Sequence, residues 1–269
     1  EDTDLGKKAP NLQRFFKLMS DLPASATRDN DSMLTFSHVG TEATGSYYAS
    51  SAKEVAMREG EAAKSGTYGV GLEHELGVDP ATLELQEGES IDFFSWNTLH
   101  EVGHAVDDKL GFMDKNGETL AGWKVYGTNV RPVAEAIATE LGFDSGYLAE
   151  YISQGKGSAP PVPDPAGCSA EEWERRRREA CAWIDRVRVD RQPWAMDSTA
   201  KNAKTAAGKV FHESYANTWC SYDYAARAKG VSGYQFRAPG EWFSELYAAV
   251  HTRKLKPSHT HYNIIANAQ

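Results

Sequence analysis

The 269-residue sequence predicts an α+β fold, mostly helical with a small mixed sheet. Two observations carry that expectation. Several long stretches repeat apolar residues at helical spacing, whereas residues 32–71 break into short β-branched or aromatic pieces cut by glycine: "SMLTFSHVG", "TGSYYAS", "KEVAMRE" and "TYGVG". Hydrophobic residues make up 41% of the chain, enough for a sizeable core, yet no run approaches the ~18 apolar residues of a membrane span. One large domain, with or without an insertion, is the expected organisation.

Each element has its own reason. In "APNLQRFFKLMSDLP", Leu12, Phe15, Phe16 and Met19 recur at helical spacing and Pro23 closes the segment, which predicts a first amphipathic helix. From Ile91 a second stripe, Phe94, Thr98, Leu99, Val102, Ala105 and Val106, runs to "KLG". Pro132 suits the first turn of a helix through "VAEAIATELGF", with "SGYLAEYI" continuing it. The proline-rich "SQGKGSAPPVPDPAGCS" reads as a linker or long surface loop. Ser169 and Glu172 then form a capping box for the helix "EEWERRRREACAWIDRVRV". Of its four arginines, 175–178, Arg175, Arg176 and Arg178 follow Glu171, Glu172 and Glu174 at i,i+4 spacing, so a salt-bridged, solvated face is expected rather than a phosphate clamp. "KVFHESYANTWCSYDYAARAKG" is expected to be helical, and "APGEWFSELYAAVHTRKLKPS" to be a last helix entered after Pro239.

The charge balance excludes one class of function. A net charge of -9 leaves no broad basic footprint, which excludes a nucleic-acid or anionic-lipid binder. Cys168, Cys181 and Cys220 are widely spaced without CxxC, so no zinc ribbon or disulfide scaffold is written; a Cys168–Cys181 bridge and three free thiols are both compatible with them. The start, "EDTDLGKK", has neither methionine nor an apolar signal region, which predicts an excised domain or a processed product.

The chemistry is concentrated in "HEVGH". On a helix, His100 and His104 share a face and can present two imidazoles to one tetrahedral zinc. Glu101 stands beside that face, where its carboxylate can reach a water without filling a coordination position. Zinc lowers the pKa of a bound water towards about 7 and polarises a carbonyl, while Glu101 can take the proton and pass it to a leaving amine. A third ligand is needed. Glu135 and Glu140 are five apart and do not share a helix face, and Glu213 is a lone acid. Glu241 and Glu245 are four apart on one predicted face, so one can bind metal while the other orients a histidine, and this pair is preferred. Asp107 and Asp108, one turn beyond the motif, are candidates to hold a histidine ring N–H or to cap the helix. His259 and His261 in "SHTHYN" read as a solvated tail and "EHE" at 73–75 as bland; "GVG" at 69–71 lacks the setting of a dinucleotide loop, and no GxSxG occurs.

"HEVGHAVDDKLGFMDKNGETL", followed later by Tyr234 and "EWFSELY", resembles the catalytic domain of anthrax lethal factor and of the clostridial Pro-Pro endopeptidases. The similarity covers roughly 20 residues around the first motif and 15 around the second. It implies a zincin-like metallopeptidase fold with zinc held by His100, His104 and Glu241. Glu101 would be the general base and Tyr234 the donor to the oxyanion. Glu245 and Asp107 would orient ligands. Glu241 follows His104 at a far longer interval than the family uses, which marks residues from about 144 to 215 as an insertion in one catalytic domain spanning 1–269. The resemblance further implies a toxin or secreted effector that acts on a protein or peptide substrate, with a cognate inhibitor or carrier protein as partner. Two rival readings stand beside it: a zinc hydrolase of cell-wall peptides, which would use the same residues, and a non-catalytic binding module in which the metal is structural or absent.

Overall fold

The computed structural model describes residues 9–40, 43, 45–58, 67–68, 91–141, 169, 171, 175, 178, 208–215 and 218–268. The chain divides into two compact units, residues 1–116 with 229–269, and residues 117–228. The described residues form the expected α+β mixture of helices and small sheets.

In the first unit, α1 (Ala9–Asp21) precedes a three-stranded sheet of β1 (Thr35–Val39), β2 (Tyr47–Ala49) and β3 (Glu54–Arg58) in the order β1-β3-β2. β1 runs parallel to β3 and β2 antiparallel to it, so the sheet is mixed as expected. The central strand buries Val55, Ala56 and Met57, as a strand covered on both faces must. Phe15 of α1 stacks on Phe36 of β1 and clusters with Phe94. Phe16 remains 61% exposed, so the buried stripe of α1 is narrower than the residue pattern predicts. A two-residue pair, β4 (Thr67–Tyr68) with β5 (Ile91–Asp92), leads into α2 (Phe93–Leu110).

α2 starts at Phe93 rather than Ile91 because Asp92 is its N-cap: the backbone is extended there and the carboxylate accepts the Ser95 N–H at 3.3 Å. Arg14 reaches the same carboxylate, tying α1 to the helix start. Gly111 ends α2 in the left-handed conformation (φ 53°), its N–H returning to the Asp107 carbonyl. α3 (Phe112–Ala121) follows at once; the residue pattern did not predict it.

α5 (Pro239–His251) takes Pro239 in its first turn, as expected, and buries every residue from Glu241 to Val250. A helix buried on all sides needs a close neighbour, and Gly103 of α2 supplies the contact. A Cβ there would lie 2.9 Å from Ser244 Cα and 3.1 Å from Tyr247 Cβ. The expected last helix thus ends at His251, and a further short helix, α6 (Tyr262–Ala266), packs back against α5.

In the second unit, β6 (Lys124–Gly127), β7 (Lys209–Glu213) and β8 (Trp219–Asp223) form an antiparallel sheet in the order β6-β8-β7, beside α4 (Val130–Leu141). This corrects the helix expected over residues 209–230: "KVFHE" and "WCSYD" pair as a hairpin, and only Tyr224–Lys229 coils into a 3₁₀ turn. The physical reason lies in two runs rich in β-branched and aromatic residues, each buried along most of its length, separated by a short polar turn. Cys220 is a buried free thiol. Glu171, Arg175 and Arg178 are helical and exposed, in keeping with a solvated face. Cys168, Cys181, the proline-rich stretch, most of 144–215, and the "EHE" and "GVG" segments lie outside the described residues. Among the described residues no helix is long and apolar enough to cross a membrane.

Candidate metal centre

The crossing of α2 and α5 at Gly103 brings "HEVGH" against "EWFSE". His100 and Glu101 are buried, His104 is half-buried, and ligand atoms of these three side chains lie within 4.8 Å of one another. Glu241, only 4% exposed, directs Oε2 to within 2.9 Å of His100 Nε2 and 3.3 Å of His104 Nε2. Two ligands each about 2.1 Å from a tetrahedral zinc stand about 3.4 Å apart. Glu241 Oε2 therefore faces both imidazoles at separations close to those that such an ion sets between its ligands, and the donor types, two imidazoles and a carboxylate, suit zinc.

The other side of His100 is held as firmly. Its Nδ1 lies 2.8 Å from Glu245 Oε1, which also accepts from Trp96 Nε1 at 3.2 Å, while Ser232 Oγ donates to Glu245 Oε2 at 2.5 Å. A proton on Nδ1 leaves the Nε2 lone pair facing Glu241. In the metal-free protein the same neighbours favour a charged ring: burial alone would lower the His100 pKa, but the bonds to Glu241 and Glu245 outweigh it and hold it well above the usual imidazole value. Burial would likewise raise Glu241, yet the bonds from His100 and His104 keep it well below the ordinary carboxylate range.

Tyr234 sits on a 3₁₀ turn (Tyr234–Phe236) just before α5, its ring centroid 5.9 Å from that of His100. Arg237 Nη1 donates to the phenol oxygen at 2.9 Å. Gly240 lies between His104 and Asp107: a Cβ there would stand 3.3 Å from His104 Nδ1 and 3.7 Å from Asp107 Oδ2. Asp107 Oδ1 accepts the Met113 N–H at 2.8 Å, so this acid caps α3 while flanking His104. Burial pushes its pKa up to about 6, against the pull of the Met113 bond. Asp108 instead accepts from Tyr48 Oη at 2.9 Å.

Other sequence candidates take ordinary roles. Glu135 is exposed and pairs with Arg131 at 3.0 Å, Glu213 is exposed at the end of β7, and the Glu140 side chain lies outside the described residues. His259 and His261 are not a solvated tail: His261 is 5% exposed, its ring packed 4.9 Å from that of Trp242, and His259 Nε2 meets the Lys229 carbonyl at 3.0 Å. Sequence reasoning missed Trp96, Ser232 and Arg237. Trp96 carried a usable signal, since it precedes His100 by four residues and so shares its face. Ser232 and Arg237 carried none, because their partners are set by the turn before α5. No protein-family model matches the chain, and neither does any curated protein or solved structure.

Proposed function

We propose that this protein is a zinc-dependent metallopeptidase of zincin-like architecture that hydrolyses peptide bonds in a protein or peptide substrate. The observation that carries the reading is the approach of the buried Glu241 Oε2 to His100 Nε2 and His104 Nε2, with Glu101 buried beside the two histidines. The chemistry that zinc supplies when bound there is polarisation of the scissile carbonyl and acidification of the attacking water. Glu101 accepts the proton of that water and delivers it to the departing amine nitrogen. Tyr234 donates its phenol hydrogen to the oxygen on which negative charge develops. Glu245 keeps the proton of His100 on Nδ1, and Asp107 borders His104. The half-buried His104 gives the cluster its more open side.

The likeness of the two motifs to lethal factor supports a toxin or secreted effector as the setting, with a carrier or a cognate inhibitor as its partner. The test combines metal analysis with digestion. Purified protein should hold about one equivalent of zinc and cleave casein or members of a peptide library, and Glu101→Ala should keep the zinc and lose the cleavage. Cleavage of purified peptidoglycan in place of these substrates would reassign the reaction to cell-wall peptides. Unchanged cleavage in Glu101→Ala would remove the mechanism.

A further inference from the structure

We infer that Ser232 is a positioning residue of this centre, setting the protein's zinc affinity through Glu245 while anchoring the turn that carries Tyr234. The inference rests on the reading of the cluster as a zinc centre.

Ser232 is 1% exposed and its hydroxyl is used twice. It donates to Glu245 Oε2 at 2.5 Å and accepts the Gln235 N–H at 3.1 Å. Gln235, itself fully buried, closes the turn by accepting the Val231 N–H at 2.8 Å on its side-chain oxygen. One hydroxyl therefore links the residue beside Tyr234 to the carboxylate that holds His100. Glu245 is bonded on both oxygens, by His100 and Trp96 on one and by Ser232 on the other. A carboxylate held at one oxygen alone can rotate about its last torsion, which is broad. Held at both, it fixes the ring plane of His100 and the direction of Nε2. Outer partners of this kind change metal affinity by about 10- to 100-fold.

The test is zinc affinity, measured on the full chain by competition with a chromophoric chelator, for wild type, His100→Ala, Ser232→Ala, Ser232→Cys, Glu245→Gln and the double variant Ser232→Ala/Glu245→Gln. Melting of the chelated proteins reports folding separately, and Ser232→Cys keeps the side-chain volume while weakening the donor. Expected is a loss of about tenfold or more in zinc affinity for Ser232→Ala and Ser232→Cys. In the Glu245→Gln background the same change should cost little more, since the effect passes through that carboxylate. Wild-type affinity in both Ser232 variants, or a full additional loss in the double variant, would overturn the inference while leaving the metal centre standing. Zinc retained by His100→Ala at wild-type affinity would remove the metal-centre reading itself, and this inference with it.

Discussion

The two ends of α5 bury histidines in opposite ways. At the N-terminal end, His100 lies between Glu241 and Glu245, and the bonds to these carboxylates outweigh burial and favour its charged form. At the C-terminal end, His251 stacks 4.2 Å from the Tyr247 ring and lines a cavity of about 250 Å³ with Leu18, Leu99 and Tyr262. Burial pushes its pKa down to about 4. His261 follows the same course on the Trp242 face, driven to about 4 by burial, with His259 and Lys229 adding repulsion. A buried histidine is therefore no sign of a site. What separates His100 from His251 and His261 is the pair of carboxylates, one on each ring nitrogen of His100, which favours the charged ring there, while burial favours the neutral form of the other two.

The largest effects are expected at the end that carries His100. Glu101→Ala should lower peptide hydrolysis by about 10²- to 10⁴-fold, the usual worth of a general acid–base group, without loss of bound zinc. Turnover and metal content of the same preparation check this. Next in size is His100→Ala in chelated protein, which leaves Glu241 and Glu245 without their shared cation and should destabilise the fold by about 3–5 kcal/mol. Urea denaturation measures it, and an unchanged midpoint would mean that the carboxylates tolerate each other without the ring. Gly103→Ala sharpens the same contrast through packing. The added methyl meets the α5 backbone and should cost about 1–3 kcal/mol, read as a lowered melting temperature.

The smallest effect belongs to the neutral end. His251 titrates near 6.5 when unfolded and at about 4 when folded, so the folded state binds fewer protons between those values. Its contribution is complete above pH ~6.5 and is lost as the pH falls towards 4. His100 in metal-free protein has the reverse sign: raised above 6.5, it stabilises at low pH and loses that contribution as the pH rises through its folded value. Stability followed from pH 7 to 4 should fall less steeply in His251→Gln than in wild type. An equal slope would show that His251 takes up its proton as readily in the folded protein as in the unfolded chain.

The legible part of this molecule was the part written in local pattern. The α2 stripe, Gly111 as its stop and Pro239 as the start of α5 follow from local rules of the backbone, and the HExxH spacing follows from the helix turn. Glu241 and Glu245 were readable as a pair because i,i+4 spacing puts both on one face. What stayed hidden depends on partners far along the chain. Ser232 meets Glu245 through a turn, and Arg237 meets Tyr234 inside a 3₁₀ segment that no periodicity marks. The β7–β8 hairpin was misread as a helix because its strands are only five residues long and nearly continuous in burial, so neither alternation nor helical spacing stands out. His261 was misread as a tail residue because its neighbour is the Trp242 ring on α5, across a loop.

On the proposed reading Glu241, not an acid elsewhere, completes a zinc centre with His100 and His104. Zinc stoichiometry of wild type beside Glu241→Ala and Glu135→Ala tests it most directly. About one equivalent is expected in wild type and in Glu135→Ala, with a loss of tightly held zinc in Glu241→Ala. Zinc kept by Glu241→Ala and lost by Glu135→Ala would contradict it.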